Sequence, residues 1–141
     1  MAEQESGSRK VAIILHSGAY DRVSYALSIA LVASASGMRV DMLVAFEGLR
    51  RFTRGRLSEI GEETASVLKE SIERGLKSGG IQSLQDQLDN AKKLGVKIYA
   101  CPNAMAALNI GFDELVPEID SVKGLAAFLP IASAADVNWY I

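Results

Sequence analysis

The sequence is poor in residues for sulfur and metal chemistry: its 141 residues include one cysteine, Cys101, and one histidine, His16. One cysteine excludes an internal disulfide, and the lack of a C-x-x-C motif excludes a thioredoxin-like dithiol cycle. A lone cysteine and a lone histidine do not form the ligand cluster of a zinc site. No phosphate-binding loop rich in Ser or Thr supports a flavodoxin-like electron carrier. We therefore expect neither a metal nor a cofactor.

Signals for secretion, membrane insertion and nucleic-acid binding are also lacking. The first residues, Met-Ala-Glu-Gln-Glu, are polar and acidic, unlike a signal peptide, which together with the single cysteine predicts a cytoplasmic protein. Every apolar stretch is shorter than the ~20 residues of a membrane span. The net charge of −2 gives no basic excess for a phosphate backbone. We expect no membrane and no nucleic-acid partner.

The composition is that of a globular protein, with 49% apolar and 23% charged residues. Residues 1–9 lack apolar periodicity and predict a disordered tail, followed by a single domain over 10–141. Short apolar runs predict strands at 10–15, 39–46, 96–100, 116–119 and 137–141. Apolar residues at helical spacing predict helices over 20–36, 57–76, 81–94, 102–108 and 121–130, with a loop at 47–55. This alternation predicts an α/β fold with a mostly parallel sheet of about five strands, covered on both faces.

Cys101 is placed where a strand gives way to a helix. Pro102 is favoured at the first helical position, which places Cys101 at the N-cap or just before it. There, free N–H groups and the positive end of the helix dipole favour thiolate over thiol, and the thiolate is the nucleophile. The carboxyl ends of parallel strands are also where α/β proteins bind ligands. The competing interpretation is a buried, inert thiol.

Three segments resemble the DsrE/DsrF-like sulfur-relay family: Ile-Tyr-Ala-Cys-Pro-Asn-Ala-Met-Ala-Ala-Leu at 98–108, Asp-Glu-Leu-Val-Pro-Glu-Ile-Asp-Ser-Val at 113–122, and Val-Ala-Ile-Ile-Leu-His-Ser-Gly at 11–18. The resemblance implies a three-layer αβα, flavodoxin-like fold and homo-oligomers, often trimers or hexamers. It implies that Cys101 carries sulfane sulfur as a persulfide. It also implies a strand order in which the strand ending at His16 lies beside the strand ending at Cys101.

Further residues are candidates for binding a ligand near the sulfur. His16 could orient or protonate a ligand, or simply cap a strand in solvent. Ser17 and Gly18 could present N–H groups to an anion, or form an ordinary βα turn. Pro102, Asn103 and Met105 follow the cysteine and could line its site, although Met105 also suits the core.

Four arginines crowd the loop after the second strand: Arg50, Arg51, Arg54 and Arg56. They could neutralise a small sulfur anion or dock an acidic partner, and a solvated surface is the simpler interpretation. The first functional hypothesis is a sulfur-relay protein whose partners are a sulfur-donor or acceptor protein, or a small sulfur anion. The alternative is a non-catalytic module of the same fold that binds a small ligand or serves assembly.

Overall fold

The computed structural model describes residues 8–141. Most of the predicted tail, residues 1–7, lies outside the described residues. Ser8 and Arg9 are exposed and precede the first strand without regular structure. One cluster of buried apolar side chains forms the core and includes residues of the sheet and of helices on both its faces.

Across residues 8–141, five parallel strands form one sheet, in the order β4-β3-β2-β1-β5. The strands are β1 (Lys10–Leu15), β2 (Arg39–Val44), β3 (Lys97–Ala100), β4 (Ser121–Val122) and β5 (Val137–Tyr140). The predicted α/β class and five-stranded sheet are confirmed, and the sheet is parallel throughout. β1 and β2 are almost fully buried and lack apolar alternation, as expected for central strands covered on both faces.

In the described part of the chain, six α-helices connect the strands: α1 (Tyr20–Ala35), α2 (Glu47–Arg51), α3 (Ser66–Ser78), α4 (Leu84–Lys93), α5 (Pro102–Leu108) and α6 (Leu125–Ala134), with a 3₁₀ turn at Phe112–Glu114. The chain crosses the sheet stepwise from β1 to β4 and then returns through α6 to β5. Because such crossovers are right-handed, the reversal places α6 on the face opposite α1. The result is the three-layer αβα, flavodoxin-like architecture.

Residues 47–76 depart from the expected pattern. The segment expected to be a loop contains the short helix α2, and the helix expected from Leu57 begins only at Ser66. Residues 57–65 form turns, in which Gly61 has a φ of +89°. The Arg51 guanidinium accounts for this, because it takes the main-chain oxygens of Glu59 and Ile60 that a helix would use internally.

The region before α6 also differs. Val116–Ile119 was expected to be a strand, but the fourth strand is Ser121–Val122, so Ser121 lies in the sheet instead of capping a helix. Leu115 instead forms an antiparallel bridge with Thr53, and the Val116 N–H donates to the Phe52 oxygen. Gly124 is the N-cap of α6, and this helix continues past Pro130 to Ala134. The shift in β4 places Lys123 at the carboxyl edge of the sheet.

Candidate functional site

The carboxyl edge of the sheet brings the predicted site residues into one row. Hydrogen bonds extend the strand ladders beyond their ends: Cys101 N–H donates to the Val44 oxygen at 3.1 Å, and His16 N–H donates to the Ile141 oxygen at 2.7 Å. From β3 to β5, the row therefore runs through Cys101, Phe46, His16 and Tyr140.

Cys101 is the N-cap of α5, as the sequence predicted, with extended φ and ψ of −75° and 119°. Its main-chain oxygen accepts the first helical bond, from Met105 N–H at 3.0 Å. The thiol makes no capping hydrogen bond, and Cys101 as a whole is 8% exposed. The cysteine is therefore a buried residue at the edge of the core.

The residues after Cys101 differ in their exposure. Pro102 occupies the first position of α5, and Pro102 and Asn103 are both exposed. Met105 is half-buried and packs against the hydrophobic core. The structure thus places Pro102 and Asn103 at the surface beside the thiol and gives Met105 a packing contact.

His16 and Cys101 do not lie on neighbouring strands, contrary to the strand order that the resemblance implied. β2 lies between β1 and β3. The exposed His16 ring instead lies between two aromatic rings, with centroid distances of 5.5 Å to Phe46 and 5.9 Å to Tyr140. The strand order also reverses between β1 and β5, beside His16, and two strands away from Cys101.

Phe46 has a backbone conformation that favours glycine. Its φ is 47° and its ψ is −121°, a combination in which Cβ crowds the main chain. The side chain is 38% exposed, so burial does not explain the conformation. Such strain costs about 1–3 kcal/mol and clusters at functional sites. Here it places an aromatic ring between Cys101 and His16.

The Ser17–Gly18 turn uses its N–H groups within the fold. Gly18 N–H donates to the Glu63 carboxylate at 3.3 Å, and Tyr20 N–H donates to the Thr64 hydroxyl at 3.0 Å. The Ser17 hydroxyl accepts from Ala19 N–H at 3.1 Å. The Gly18 N–H, which the sequence suggested for binding an anion, is therefore already bonded to an acceptor in the 57–65 turns.

Arg51 is the buried member of the arginine-rich segment and holds these turns in place. Its Nε and Nη2 atoms donate to the Gly18 oxygen at 3.1 and 2.8 Å. Its other bonds go to the main-chain oxygens of Arg56, Glu59 and Ile60. Burial lowers the pKa of the Arg51 guanidinium, against the opposing charges of Glu59 and Glu63. Arg51 thus has a structural role that the sequence did not reveal.

Two surface grooves lie beside this segment, and neither is lined by Cys101. The larger, of about 790 Å³, is lined by Gly18, Glu47, Arg50, Arg51, Arg56, Glu59, Gly61, Glu62, Glu63 and Lys69. The smaller, of about 470 Å³, has Arg50, Arg54 and Arg56 facing Asp113 and Glu114. Because acids alternate with bases, neither groove is a simple anion site.

Two residues near the thiol were not predicted from the sequence. Tyr99 precedes Cys101 by two residues, and its hydroxyl donates to the buried Asp41 carboxylate at 3.0 Å. Burial, with a contribution from Asp41, raises the pKa of Tyr99 to about 12. The Lys123 ammonium lies 4.9 Å from the centroid of the Tyr99 ring. Lys123 could not be predicted, because the sequence pattern indicated the fourth strand at 116–119 instead of Ser121–Val122.

Within residues 8–141, no group of three or more His, Cys, Asp or Glu side chains could hold a metal ion. Over the same residues, no helix combines the length and apolar character needed to cross a membrane.

Comparison with known proteins relates this chain to one family. Residues 53–140, which include β3, Cys101 and α5, match the DsrE/DsrF/DrsH-like family. A relative from Bacillus subtilis (strain 168), the uncharacterized protein YrkE, is 26% identical over 164 aligned positions that span both chains completely.

Two solved structures share the fold. The ychN protein from E. coli superimposes with a TM-score of 0.64 at 13% identity, covering 94% of this chain and 99% of that chain. MTH1491 from Methanobacterium thermoautotrophicum, a protein of unknown function, superimposes with a TM-score of 0.58 at 15% identity, with the same coverage. At these identities, the two solved structures show that the fold is shared.

Proposed function

Because this chain belongs to the DsrE/DsrF/DrsH-like family, we propose that it is a cytoplasmic sulfur-relay protein that carries sulfane sulfur as a persulfide on Cys101. The observation that carries the proposal is the position of the only cysteine at the N-cap of α5, on the carboxyl edge of a parallel sheet. This is the edge at which open α/β sheets bind their ligands.

The proposed reaction is a pair of thiol–persulfide exchanges. The Cys101 thiolate attacks the outer sulfur of a donor persulfide, a new S–S bond forms, and the donor's thiolate leaves with the electron pair of the broken bond. A partner's thiolate then attacks the outer sulfur on Cys101, and the Cys101 thiolate leaves. No net oxidation occurs, so the relay needs no cofactor. A donor or acceptor protein, or a small sulfur anion, fits this chemistry.

Pro102 and Asn103 support the relay because they lie at the surface directly after the cysteine. Both are exposed in the first turn of α5. No acceptor for the Asn103 N–H occurs among residues 8–141, so it is free to donate to an incoming sulfur. His16, two strands away, contributes to the surface that meets the partner instead of exchanging a proton with the thiol.

We also propose that the protein assembles into a homo-oligomer, as a trimer or hexamer, through α6. The helix reads Leu-Ala-Ala-Phe-Leu-Pro-Ile-Ala-Ser-Ala, and Phe128 is its only buried residue. Leu125 and Leu129 are 59% and 62% exposed. A helix that is apolar all round normally lies in an interior, so a second copy of the chain is the proposed cover.

Mass spectrometry after incubation with a persulfide donor tests the relay. The wild type should gain 32 Da (one sulfur atom) on Cys101, and the gain should be reversed by a thiol. Cys101→Ser should gain nothing. Absence of the gain in the wild type, or an equal gain in Cys101→Ser, would refute the relay.

A binding module without sulfur transfer is the second candidate, and one observation favours it: Cys101 does not line the groove of about 790 Å³. A thermal-shift screen of small polar ligands separates the two candidates. A ligand that stabilises wild type and Cys101→Ser equally, combined with no sulfur gain on Cys101, would establish the module.

A further inference from the structure

Lys123 lies directly across from Cys101 at the carboxyl edge of the sheet. Val122 pairs with Ala100 in the parallel register of β3 and β4. The Lys123 N–H then donates to the Ala100 oxygen at 3.0 Å, which continues the ladder by one residue. Lys123, the residue directly after β4, therefore lies opposite Cys101 along this edge.

The Lys123 side chain lies over the face of the sheet on which Cys101 lies. Side chains alternate along extended backbone, so Tyr99 and Cys101 share a face, about 6.6 Å apart along the strand. The Lys123 ammonium lies over the Tyr99 ring at 4.9 Å from its centroid, a favourable cation–π arrangement. The Tyr99 hydroxyl points to Asp41, which anchors the ring.

The charge of Lys123 is not neutralised by an ion pair. Within residues 8–141, no carboxylate oxygen lies within 4 Å of its ammonium. The nearby Asp120 carboxylate is bound at 2.5 Å by Lys92 and also accepts from Ile98 N–H. Lys123 is half-buried, and its ammonium places an uncompensated positive charge on the face of the sheet that Tyr99 and Cys101 share.

We infer that Lys123 is the cationic residue of the Cys101 site and that it makes this site selective for anionic sulfur donors over neutral ones. The inference rests on the proposed relay at Cys101 and specifies the class of its substrate. In the exchange, an anionic donor passes its outer sulfur to the thiolate and departs with the electron pair of the broken S–S bond. Lys123 exchanges no proton; it attracts the donor and offsets the negative charge that accumulates on the sulfur atoms.

Alkylation of the native protein by a charged and an uncharged reagent tests the inference. Iodoacetate is an anion and iodoacetamide is its neutral analogue, and mass spectrometry gives the rate of each at Cys101. The ratio of the two rates reports the local potential, since changes in thiol access or fold stability affect both reagents alike. In Lys123→Gln the iodoacetate-to-iodoacetamide ratio should fall roughly three- to tenfold, and Lys123→Arg should restore it.

Lys97→Gln is the matched control. Lys97 lies on the same strand and face as Cys101, at the other end of β3 and about 13 Å away, and it is exposed. Its removal changes the net charge equally and should leave the ratio nearly unchanged. High salt should lower the wild-type ratio toward that of Lys123→Gln.

An equal ratio in wild type and Lys123→Gln would overturn the inference, as would an equal fall in Lys97→Gln. Failure of both reagents to modify native Cys101 would also overturn it, because such a site admits no small donor. Alkylation needs no sulfur donor, so its outcome is independent of persulfide formation. The relay can fail with the Lys123 effect intact, and the Lys123 effect can fail with the relay intact.

Discussion

The Arg51 side chain donates two hydrogen bonds to a single acceptor, the main-chain oxygen of Gly18, at 3.1 and 2.8 Å. This contact links α2 to the turn that follows β1. Gly18 cannot be replaced easily here, because a Cβ at this position would lie 2.5 Å from the Glu47 oxygen. The carboxyl edge of the sheet is therefore held by a buried guanidinium and a close approach of two main-chain segments.

Replacing Arg51 should destabilise the fold strongly. Arg51→Gln leaves the oxygens of Gly18, Arg56 and Ile60 with fewer donors in a buried site, which should lower the free energy of unfolding by about 2–4 kcal/mol. Urea unfolding measures the change. Arg74→Gln, which removes an exposed arginine from α3, should change the stability by less than about 0.5 kcal/mol. Equal effects of the two variants would contradict the assigned role of Arg51.

At position 46, a glycine variant should be more stable than an alanine variant, which is the reverse of the usual order of stability. Within a helix or strand, glycine makes a protein less stable than alanine at the same position does, by roughly 0.5–1 kcal/mol. Phe46→Ala and Phe46→Gly both remove the ring, but only glycine relieves the strain at a φ of 47°. We expect Phe46→Gly to be more stable than Phe46→Ala by about 1 kcal/mol in urea unfolding. If alanine is the more stable of the two, the backbone at this position is not strained.

Tyr99 should make stability pH-dependent in alkali. Burial, with the Asp41 hydrogen bond adding to it, raises the pKa of Tyr99 from 10.0 to about 12. The folded state holds the phenol proton more tightly than the unfolded state does. The stabilisation that the protonated phenol contributes is therefore complete below pH 10 and is lost as pH rises through about 12. The stability difference between wild type and Tyr99→Phe should therefore narrow over this range.

An ultraviolet titration checks the same pKa directly. Burial raises the pKa of Tyr20 as well as that of Tyr99, so wild type should show late-ionising tyrosines and Tyr99→Phe should lose one of them, the one near pH 12. Asp41→Asn should lower the pKa of Tyr99, because it removes the negative charge facing the phenol. A wild-type titration without a late-ionising tyrosine would count against this environment.

Leu129 should control assembly. Placing a charge on the exposed apolar side of α6 by Leu129→Glu should shift the sedimentation of the proposed oligomer toward the monomer. Val67→Glu is the control, since Val67 is 82% exposed on α3, away from α6. A monomeric wild type, or an unchanged mass for Leu129→Glu, would show that α6 is not the interface.

Local patterns in the sequence predicted much of the site around Cys101. Pro102 pre-sets the φ of a first helical residue, so the strand-to-helix junction and the N-cap position of Cys101 followed from two neighbouring residues. The buried run Lys10–Leu15 predicted β1 with its observed bounds. Both are confirmed because propensity and apolar pattern act within a few residues.

Features that depend on contacts between distant parts of the sequence could not be predicted from these local patterns. The apolar spacing from Leu57 indicated a helix, but Arg51 binds the main-chain oxygens of that segment and keeps it in turns. The two-residue strand Ser121–Val122 is too short to leave a periodic signal, and it is positioned by pairing with Tyr99 and Ala100.

The sequence by itself determined the α/β class, the strand-to-helix junction at Cys101 and the resemblance to a sulfur-relay family, since these depend on neighbouring residues. Only the tertiary structure decided what surrounds the thiol. The strand order puts β2 between His16 and Cys101 and brings Lys123 to the cysteine instead. Strand order depends on pairing between segments far apart in the chain, and no local pattern encodes that pairing.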